Sequence, residues 1–325
     1  MKISKEKFLS CDWGTSSFRL RLVDAINQVT IAEESSSQGI FLTHELWKQT
    51  GKPKKNKLLY FQSFLHDQIK KIEEKQKCSL KELPLVISGM ASSSIGMLEL
   101  PYKEIPFCTD GSDLEIKTIA ADTFFSHPTI IISGVKTSDD VMRGEETLLV
   151  GCFPIRKDEN QVFIFPGTHS KHVTVKNGLA VGITTYMTGE YFELLSKKSI
   201  LSASIEKGGD RQYDKNQESF KAGVLHGIET NLLHGSFLVR TNQLFAKFSN
   251  QENYFYLSGL LIGAELKDLK NNMASGLLIV GNKNLIPYYK TAILLLNLPG
   301  AVFVRDADEA LIRGQLKICS NLDLL

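Results

Sequence analysis

The feature that most constrains the fold is a strand–turn–strand unit that occurs once in each half of the chain. The first unit spans residues 8–23, and its turn is made of the small residues Gly14–Ser17. The second spans residues 162–175, about 150 residues later, and its turn runs from Pro166 to Lys171. Tight turns between short apolar strands predict β-hairpins. Because each half opens with such a hairpin, two domains are predicted, as the length of 325 residues also suggests.

The rest of the chain alternates short buried strands with amphipathic segments, which predicts an α/β architecture. Strands are predicted at Leu83–Ile87, Thr129–Ser133, Leu277–Val280 and Val302–Val304. Helices are predicted at Leu58–Glu74, Gly189–Leu195, Ser219–Phe248, Tyr254–Leu266, Leu285–Leu298 and Ala307–Lys317. The domain boundary is predicted between Gly151 and Gln161, which gives domains of residues 1–155 and 156–325.

Charge and cysteine usage limit the partners and the compartment. The formal net charge is +2 and the two signs are mixed along the chain, so neither nucleic acid nor a membrane surface is expected as a partner. The densest basic run, Lys52–Lys57, contains Pro and Asn and favours a solvated loop over a polyanion site. The five cysteines show no metal-ligand or redox spacing, and no apolar run could span a bilayer, so we expect a cytoplasmic location.

Two common nucleotide-binding signatures are absent from the sequence. No two glycines lie two residues apart, which excludes a G-x-G-x-x-G turn. The nearest approach to a P-loop, Gly276–Lys283, has its lysine one position late and strand-like residues where a loop is needed. Any phosphate must therefore be held in another way.

The two hairpin turns offer that alternative. A turn rich in Gly, Thr and Ser exposes backbone N–H groups on its concave side and can bind an anion. Asp12, at the end of the strand before the first turn, could hold Mg²⁺ directly or through water, because Mg²⁺ prefers oxygen ligands. Either hairpin alone could be an ordinary surface hairpin, but one in each half favours a phosphate clamp.

On these turns the chain resembles the actin/hexokinase/Hsp70 superfamily, whose two phosphate motifs are similar to Cys11–Ser16 and Pro166–Lys171. Further blocks, in the family's order, narrow the resemblance to the 2-dehydro-3-deoxygalactonokinase family. They are Ser88–Met90, Ser94–Gly96, Leu100–Tyr102, Val141–Thr147, Met187–Glu190 and Leu257–Glu265. The chain departs from the family at His172, where Trp is usual, and at Ser17-Phe18, where Asn-Leu is commoner. These departures affect the packing around the phosphates.

The resemblance implies two actin-like, ribonuclease H-like domains with ATP and Mg²⁺ in the cleft between them. It also implies transfer of the ATP γ-phosphoryl group to the terminal hydroxyl of a 2-keto-3-deoxy sugar acid. The sugar acid is expected mainly on the first domain and adenosine on the second. The oligomeric state is left open, a homodimer included.

The resemblance also implies roles for particular residues. Glu145 is expected to be the general base, with Glu146 as the substitute, and Arg143 to contact the substrate carboxylate or the moving phosphoryl group. Asp12 is the expected metal ligand. The expected nucleotide-binding residues are Gly14, Thr15, Ser16, Gly167, Thr168, Lys171, Gly259, Gly263, Gly281 and Asn282. The expected sugar-acid residues are Ser88, Gly89, Met90, Ser93 and Ser94.

Some of these residues have simpler interpretations. The Glu145-Glu146 pair also suits the first turn of a helix, where acidic residues favour the macrodipole. Gly259 and Gly263 are spaced for close helix packing, and His169 is expected to support the turn by hydrogen bonding. Two other functions remain open: another sugar or amino-sugar kinase of the superfamily, and an ATP-binding conformational switch without an acceptor.

Overall fold

The computed structural model describes residues 6–152, 160–208, 213–272 and 274–321, and these residues form two compact units. The first unit contains the described residues up to 152, residues 176–183, and the described residues from 307 onward. The second unit contains the described residues of 160–175 and 184–306. The predicted boundary between residues 155 and 156 lies outside the described residues.

The strands, in chain order, are β1 (Lys7–Trp13), β2 (Phe18–Asp24), β3 (Val29–Ser36), β4 (Leu85–Gly89), β5 (Lys103–Glu104), β6 (Phe107–Cys108), β7 (Ile116–Ile119), β8 (Thr129–Ile132), β9 (Val135–Lys136), β10 (Val141–Met142), β11 (Gln161–Phe165), β12 (Ser170–Lys176), β13 (Leu179–Tyr186), β14 (Gly276–Gly281) and β15 (Ala301–Asp306). The α-helices are α1 (Ile40–Gln49), α2 (Lys57–Gln76), α3 (Glu145–Gly151), α4 (Thr188–Lys198), α5 (Asp214–Glu229), α6 (Leu232–Leu244), α7 (Asn250–Leu266), α8 (Ile286–Leu295) and α9 (Ala307–Ser320).

The first unit is built on a sheet with the strand order β3-β2-β1-β4-β8-β7. Strands β1, β2 and β3 form an antiparallel meander, whereas β4 and β8 run parallel to β1. The odd-numbered residues of β1, such as Trp13, pack against Phe61 and other apolar residues of α2. The even-numbered Ser10 and Asp12 lie on the opposite face, so a single strand separates an apolar core from a polar layer.

The C-terminal helix α9 belongs to the first unit, which differs from the predicted domain of residues 156–325. The physical reason is close packing of α9 on α3. A Cβ atom on Gly314 would lie 1.9 Å from the carbonyl oxygen of Thr147, and one on Gly151 would lie 1.8 Å from that of Ala310. The backbones of α3 and α9 are therefore in contact at these glycines. The apolar pattern of α9 shows which face is buried but not which domain that face packs against.

Another sheet has the strand order β15-β14-β11-β12-β13-β6. Strands β11 and β12 form the predicted second hairpin, and β14 and β15 continue the sheet in parallel. The helical pattern predicted over residues 219–248 is divided into α5 and α6. Thr230 is extended, and the side chain of Asn231 accepts a hydrogen bond from the N–H of Leu233, so a new helix begins there.

The two six-stranded sheets share one topology. If the five main strands of each six-stranded sheet are numbered 1 to 5 along the chain, both sheets have the order 3-2-1-4-5. This is the ribonuclease H-like arrangement of actin-like domains, and it places each hairpin turn at the carboxyl end of its first strand. A search of the described residues finds no helix that is long and apolar enough to cross a membrane.

Candidate active site

The first turn is closed internally and held by the start of α1. The N–H of Gly14 donates to the carbonyl of Ser17 at 2.9 Å. The N–H groups of Ile40 and Phe41 donate to the carbonyls of Gly14 and Thr15 at 2.9 and 3.1 Å. The carbonyl oxygens of the turn are thus bound by a helix N-terminus, which fixes the conformation of the turn.

The opposite side of this turn is available to an anion. Thr15, Ser16 and Ser17 are exposed, and among the described residues the N–H groups of Thr15 and Ser16 have no hydrogen-bond partner. A cavity of about 230 Å³ adjoins the turn, and its wall includes Asp12, Ser17 and Arg19. Unpaired N–H groups beside a cavity are what a phosphate-binding nest requires.

Asp12 is half-buried and lies opposite Arg19 on β2. Burial raises the pKa of its carboxyl group, while the nearby charges of Arg21 and Arg19 act in the opposite direction. No hydrogen bond to the Asp12 carboxylate is found within the described residues. Its oxygens therefore remain available for an external ligand.

The predicted sugar-acid loop follows β4, directly beside Asp12. Asp12 pairs with Ser88 in the parallel ladder, and Trp13 pairs with Gly89. Met90 begins a short 3₁₀ turn, where Ser93 Oγ donates to the Met90 carbonyl at 2.7 Å. Ser93 is buried and Ser94 is exposed, so only part of the predicted set can reach a ligand without rearrangement.

Arg143 is fixed against the same loop. Its Nη1 donates to the carbonyl and to the hydroxyl of Ser92 at 2.7 and 2.6 Å. Its guanidinium carbon lies 3.9 Å from the centre of the Tyr102 ring. The buried Nε of Arg143 has no hydrogen-bond partner among the described residues. The side chain is therefore held rigidly while it keeps donors for an oxyanion.

Glu145 and Glu146 have different environments at the start of α3. Glu145 is half-buried, and its Oε2 accepts a hydrogen bond from the N–H of Arg143 at 3.1 Å. Glu146 is fully buried, and both of its oxygens accept from the N–H of Gly144 at 2.9 and 2.8 Å. Burial, together with the charge of Glu145, raises the pKa of Glu146 to about 8. Glu146 is thus occupied with the helix start, whereas Glu145 is accessible.

A backbone contact joins these parts into one site within the first unit. A Cβ atom on Gly144 would lie 3.5 Å from the Cα of Gly89, and one on Gly89 would lie 2.8 Å from the Trp13 carbonyl and 3.6 Å from Asp12 Oδ1. The candidate base therefore follows a glycine that touches the loop beside the candidate metal ligand. The structure brings Asp12, Gly89 and the Arg143–Glu145 segment together.

Gln315 of α9 is a supporting residue that the sequence analysis did not identify. Its Nε2 donates to the carbonyls of Cys11 and Val86 at 3.2 and 3.3 Å and to Ser88 Oγ at 3.0 Å. It is fully buried and links β1 to β4 one residue before Asp12. A polar residue in the buried stripe of an amphipathic helix was a possible signal. Its target, more than 200 residues away, was not predictable.

The second turn is held in the same way by α4. The N–H of Glu190 donates to the carbonyl of Thr168 at 3.0 Å, and a Cβ atom on Gly189 would lie 2.5 Å from the carbonyl oxygen of Gly167. In the first unit, a Cβ atom on Gly39, before α1, would likewise lie 2.4 Å from the carbonyl oxygen of Thr15. His169 Nε2 contacts Glu190 Oε2 at 2.5 Å, which agrees with the predicted supporting role.

A buried carboxylate, Glu265 of α7, lies behind the second turn. Its Oε1 contacts Ser170 Oγ at 2.6 Å and His172 Nε2 at 2.9 Å. Its Oε2 accepts from Thr188 Oγ1 at 2.5 Å and from the hydroxyl of Tyr289 at 2.7 Å. Glu265 is 2% exposed, and it connects β12, the start of α4, and α8. The sequence analysis gave it no role, although an acidic residue in an apolar helix was a signal.

The remaining predicted nucleotide residues divide into two groups. Gly281 lies at the end of β14 beside Pro166 of the second turn, and the Asn282 side chain accepts from the N–H groups of Asn284 and Leu285. Lys171 is buried, and its Nζ donates to the His169 carbonyl at 3.4 Å. These residues are close to the turn.

Gly259 and Gly263 pack against α5. Cβ atoms on them would lie 2.1 and 2.3 Å from the carbonyl oxygens of Phe220 and Val224. The backbone of α5 occupies the space that a side chain at either position would need. Close helix packing therefore explains why glycine stands at both positions. Their role in adenine binding stays a prediction.

The residues present fit Mg²⁺ as a partner of phosphate. Within the described residues no three His, Cys, Asp or Glu side chains gather as a metal cage. Mg²⁺ usually takes one or two carboxylates and completes its shell with water and substrate phosphates. The half-buried Asp12, beside a turn with unpaired N–H groups, provides such a carboxylate.

The shared strand order and the two buttressed hairpin turns define the class: an α/β protein with the actin-like fold of ATPases and sugar kinases. A sequence profile of the 2-keto-3-deoxy-galactonokinase family matches residues 12–318. The chain therefore belongs to the 2-keto-3-deoxy-galactonokinase family, which confirms the resemblance inferred from the motifs.

Named relatives agree with this assignment. "Probable 2-dehydro-3-deoxygalactonokinase DgoK1" of Rhizobium meliloti (strain 1021) is 30% identical over 321 residues, covering 94% of each chain. The 2-dehydro-3-deoxygalactonokinase of Escherichia coli (strain K12) is 28% identical over 215 residues, which is 65% of this chain and 70% of the relative. A crystal structure of a Sinorhizobium meliloti protein with the same kinase designation superposes with a TM-score of 0.78 at 28% identity, covering 95% and 94% of the two chains.

Proposed function

We propose that the protein is an ATP-dependent kinase that phosphorylates the terminal hydroxyl of 2-dehydro-3-deoxygalactonate to give the 6-phosphate. Family membership supports the reaction class and the acceptor. The observation that carries the proposal is the contact of Gly144 with Gly89 beside Asp12. It brings an accessible carboxylate, a fixed guanidinium and a second carboxylate to one hydroxyl-rich loop.

The residues have distinct roles in this proposal. Glu145 takes the proton of the acceptor hydroxyl. At the same time the hydroxyl oxygen bonds to the γ-phosphorus, and the bond between the γ-phosphorus and the bridging oxygen that leaves with ADP breaks. Arg143, held by Ser92, supplies fixed positive charge toward the phosphoryl group or the acid. The N–H groups of Thr15 and Ser16 bind phosphate oxygens.

Asp12 would hold Mg²⁺, which neutralises phosphate charge when bound. In the second unit, the turn of Gly167 and Thr168 offers the same kind of phosphate grip, with Lys171 beside it. Gly281 and Asn282, at the end of β14, are the proposed adenosine contacts. A cytoplasmic location and the absence of nucleic-acid and membrane partners stay predictions.

The test is coupled ADP release with Mg·ATP against three acceptors: 2-keto-3-deoxygalactonate, 2-keto-3-deoxygluconate and N-acetylglucosamine. Glu145→Gln is expected to lower kcat by roughly 10²–10⁴-fold, the usual contribution of a general base, with little change in the KM for ATP. Glu104→Gln, which removes an exposed carboxylate of the same unit, is the matched control and should retain activity.

Three outcomes would change the proposal. Turnover of N-acetylglucosamine alone would make the protein an amino-sugar kinase. Binding of ATP without turnover of any acceptor would favour a conformational switch. A loss of activity in Glu146→Gln but not in Glu145→Gln would reverse the assignment of the base.

A further inference from the structure

Lys57 is a buried lysine at the edge of the sugar-acid loop. It is the first residue of α2 and is 9% exposed. Its Nζ donates to the carbonyl of Ser94 at 2.9 Å and lies 5.6 and 5.8 Å from the ring centres of Trp47 and Phe61. Lys57 is the last member of the basic run 52–57, which was interpreted as a solvated loop. That interpretation fits the exposed Lys52, Lys54 and Lys55 but is wrong for Lys57.

The Lys57 ammonium group has no ionic partner in the part of the chain that the structure describes, because no carboxylate there lies within ion-pairing distance of its Nζ. Burial, followed by the charge of Lys54, lowers the pKa of Lys57, and the charge of Glu99 acts in the opposite direction. The position is unfavourable in a second way, because a cation at the N-terminus of a helix opposes the macrodipole. Lys57 has one carbonyl acceptor and two aromatic rings beside it but no carboxylate, so an anion that binds from outside would stabilise its charged form.

Two further buried polar atoms near Lys57 have no hydrogen-bond partner among the described residues. They are Nδ1 of His44 and Nε1 of Trp47, both on α1. The two rings are 5.3 Å apart, and His44 is 9% exposed. Native proteins rarely leave buried polar atoms unpaired, and groups of them indicate a missing ligand or water. The cluster of Lys57, His44 and Trp47 therefore offers several unused polar atoms beside one cation.

The cluster lies at a suitable place for one end of the acceptor. Along the loop, Gly89 adjoins Asp12, Ser92 holds Arg143, and Ser94 holds Lys57. A short 3₁₀ turn, Met90–Ser92, lies between the Gly89 end and the Ser94 end of this loop. The reacting hydroxyl is expected at the Gly89 end. The Ser94 end would then face the far terminus of the acceptor, which is its carboxylate.

We propose that Lys57 binds the carboxylate of the sugar acid and selects acids over neutral sugars. This inference rests on the proposed function for the identity of the acceptor. It assigns the carboxylate to Lys57 and leaves Arg143 for the phosphoryl group. The specificity follows from charge, because a site with an unpaired cation is stabilised by an anion and gains little from an uncharged group.

The test compares 2-keto-3-deoxygalactonate with its primary amide, which has the same shape and no charge. In the wild type, kcat/KM is expected to favour the acid by roughly 30-fold or more. Lys57→Met should remove most of this preference by raising the KM for the acid. It should leave kcat, the KM for ATP and the kinetics of the amide nearly unchanged. Lys57→Arg should keep a preference for the acid.

Lys54→Met is the matched control, since it removes the same charge from an exposed position in the same run. It should keep the preference for the acid over the amide. Thermal unfolding without ATP gives a second measurement. The acid should raise the Tm of the wild type and of Lys54→Met but not that of Lys57→Met. Without ligand, Lys57→Met should unfold no earlier than the wild type, because it removes an unpaired buried charge.

Three results would overturn the inference. One is a Lys57→Met variant with an unchanged acid-to-amide ratio and a lower Tm, which would make Lys57 a purely structural residue. The second is an equal loss of preference in Lys54→Met. The third is a wild type whose Tm does not respond to the acid. If the wild type shows no turnover but a Tm shift that depends on Lys57, the proposed reaction fails and the carboxylate site stands.

Discussion

Replacing Glu265 tests whether the buried carboxylate behind the second turn holds that turn in place. Four side chains contact it: Ser170, His172, Thr188 and Tyr289. A buried donor left without a partner costs about 1–3 kcal/mol. Glu265→Ala would orphan all four contacts, at roughly 4–12 kcal/mol, which is comparable to the whole stability of a protein. That variant is therefore not a usable probe.

Glu265→Gln keeps the shape and is the informative change. Its amide oxygen can still accept from two neighbours, and the hydroxyls of Thr188 and Tyr289 can rotate to accept from its NH₂ group. The loss is then the difference between charge-assisted and neutral hydrogen bonds, about 2–4 kcal/mol in total. Because Ser170 directly follows the turn, the KM for ATP should rise while the kcat for the acid falls less.

The assay must report on the second unit. Both tryptophans, Trp13 and Trp47, belong to the first unit, so their fluorescence serves as an internal control. Hydrogen exchange of β12 and α7 should become about 30- to 1000-fold faster in Glu265→Gln, which corresponds to 2–4 kcal/mol. The urea transition seen by tryptophan fluorescence should move less.

Glu193→Gln is the matched control on α4. Its side chain is 59% exposed and pairs with Lys197, so its removal should change stability by less than about 0.5 kcal/mol. The reasoning would be refuted if Glu265→Gln exchanged no faster than Glu193→Gln, or if protection were lost only in the first unit.

Two further predictions concern the second turn and α3. Gly189→Ala places a Cβ atom 2.5 Å from the Gly167 carbonyl oxygen. The KM for ATP should therefore rise at least about tenfold, with kcat little changed. An unaltered affinity for ATP would contradict the proposed role of this contact. Burial raises the pKa of Glu146 from 4.5 to about 8, so between these values the folded protein keeps a proton that the unfolded chain has lost. The free energy of unfolding should therefore fall by a few kcal/mol as pH rises from 4.5 to 8. Above pH 8, Glu146 should contribute no further pH dependence. The free energy of unfolding can be measured by urea unfolding across this pH range. It should fall with pH in the wild type and fall less steeply in Glu146→Gln, and equal slopes would contradict the prediction.

Local patterns in the sequence determined the elements and the two turns. The hairpins whose turns contain Gly14 and Gly167 were predicted from short apolar strands joined by tight turns, and the structure has both. Asp12 was identified as a candidate because it ends a strand just before such a turn. Helices α2, α7 and α9 were predicted from apolar spacing, with ends within a few residues of the structure. These patterns depend only on residues that are close together in the sequence, so they can be recognised without the structure.

The tertiary structure alone decided which distant residues complete each site. Gln315 reaches Ser88 across more than 200 residues, and Glu265 reaches Ser170 across 95. Lys57 reads as one more solvated lysine of a basic run, yet packing of α1 and α2 buries it beside Ser94. Periodicity specifies which face of a helix is buried but not which partner covers it, since that partner is chosen by the packing of whole elements. Turn positions and strand ends are therefore readable from the sequence, whereas buried charges and their contacts are settled only by the fold.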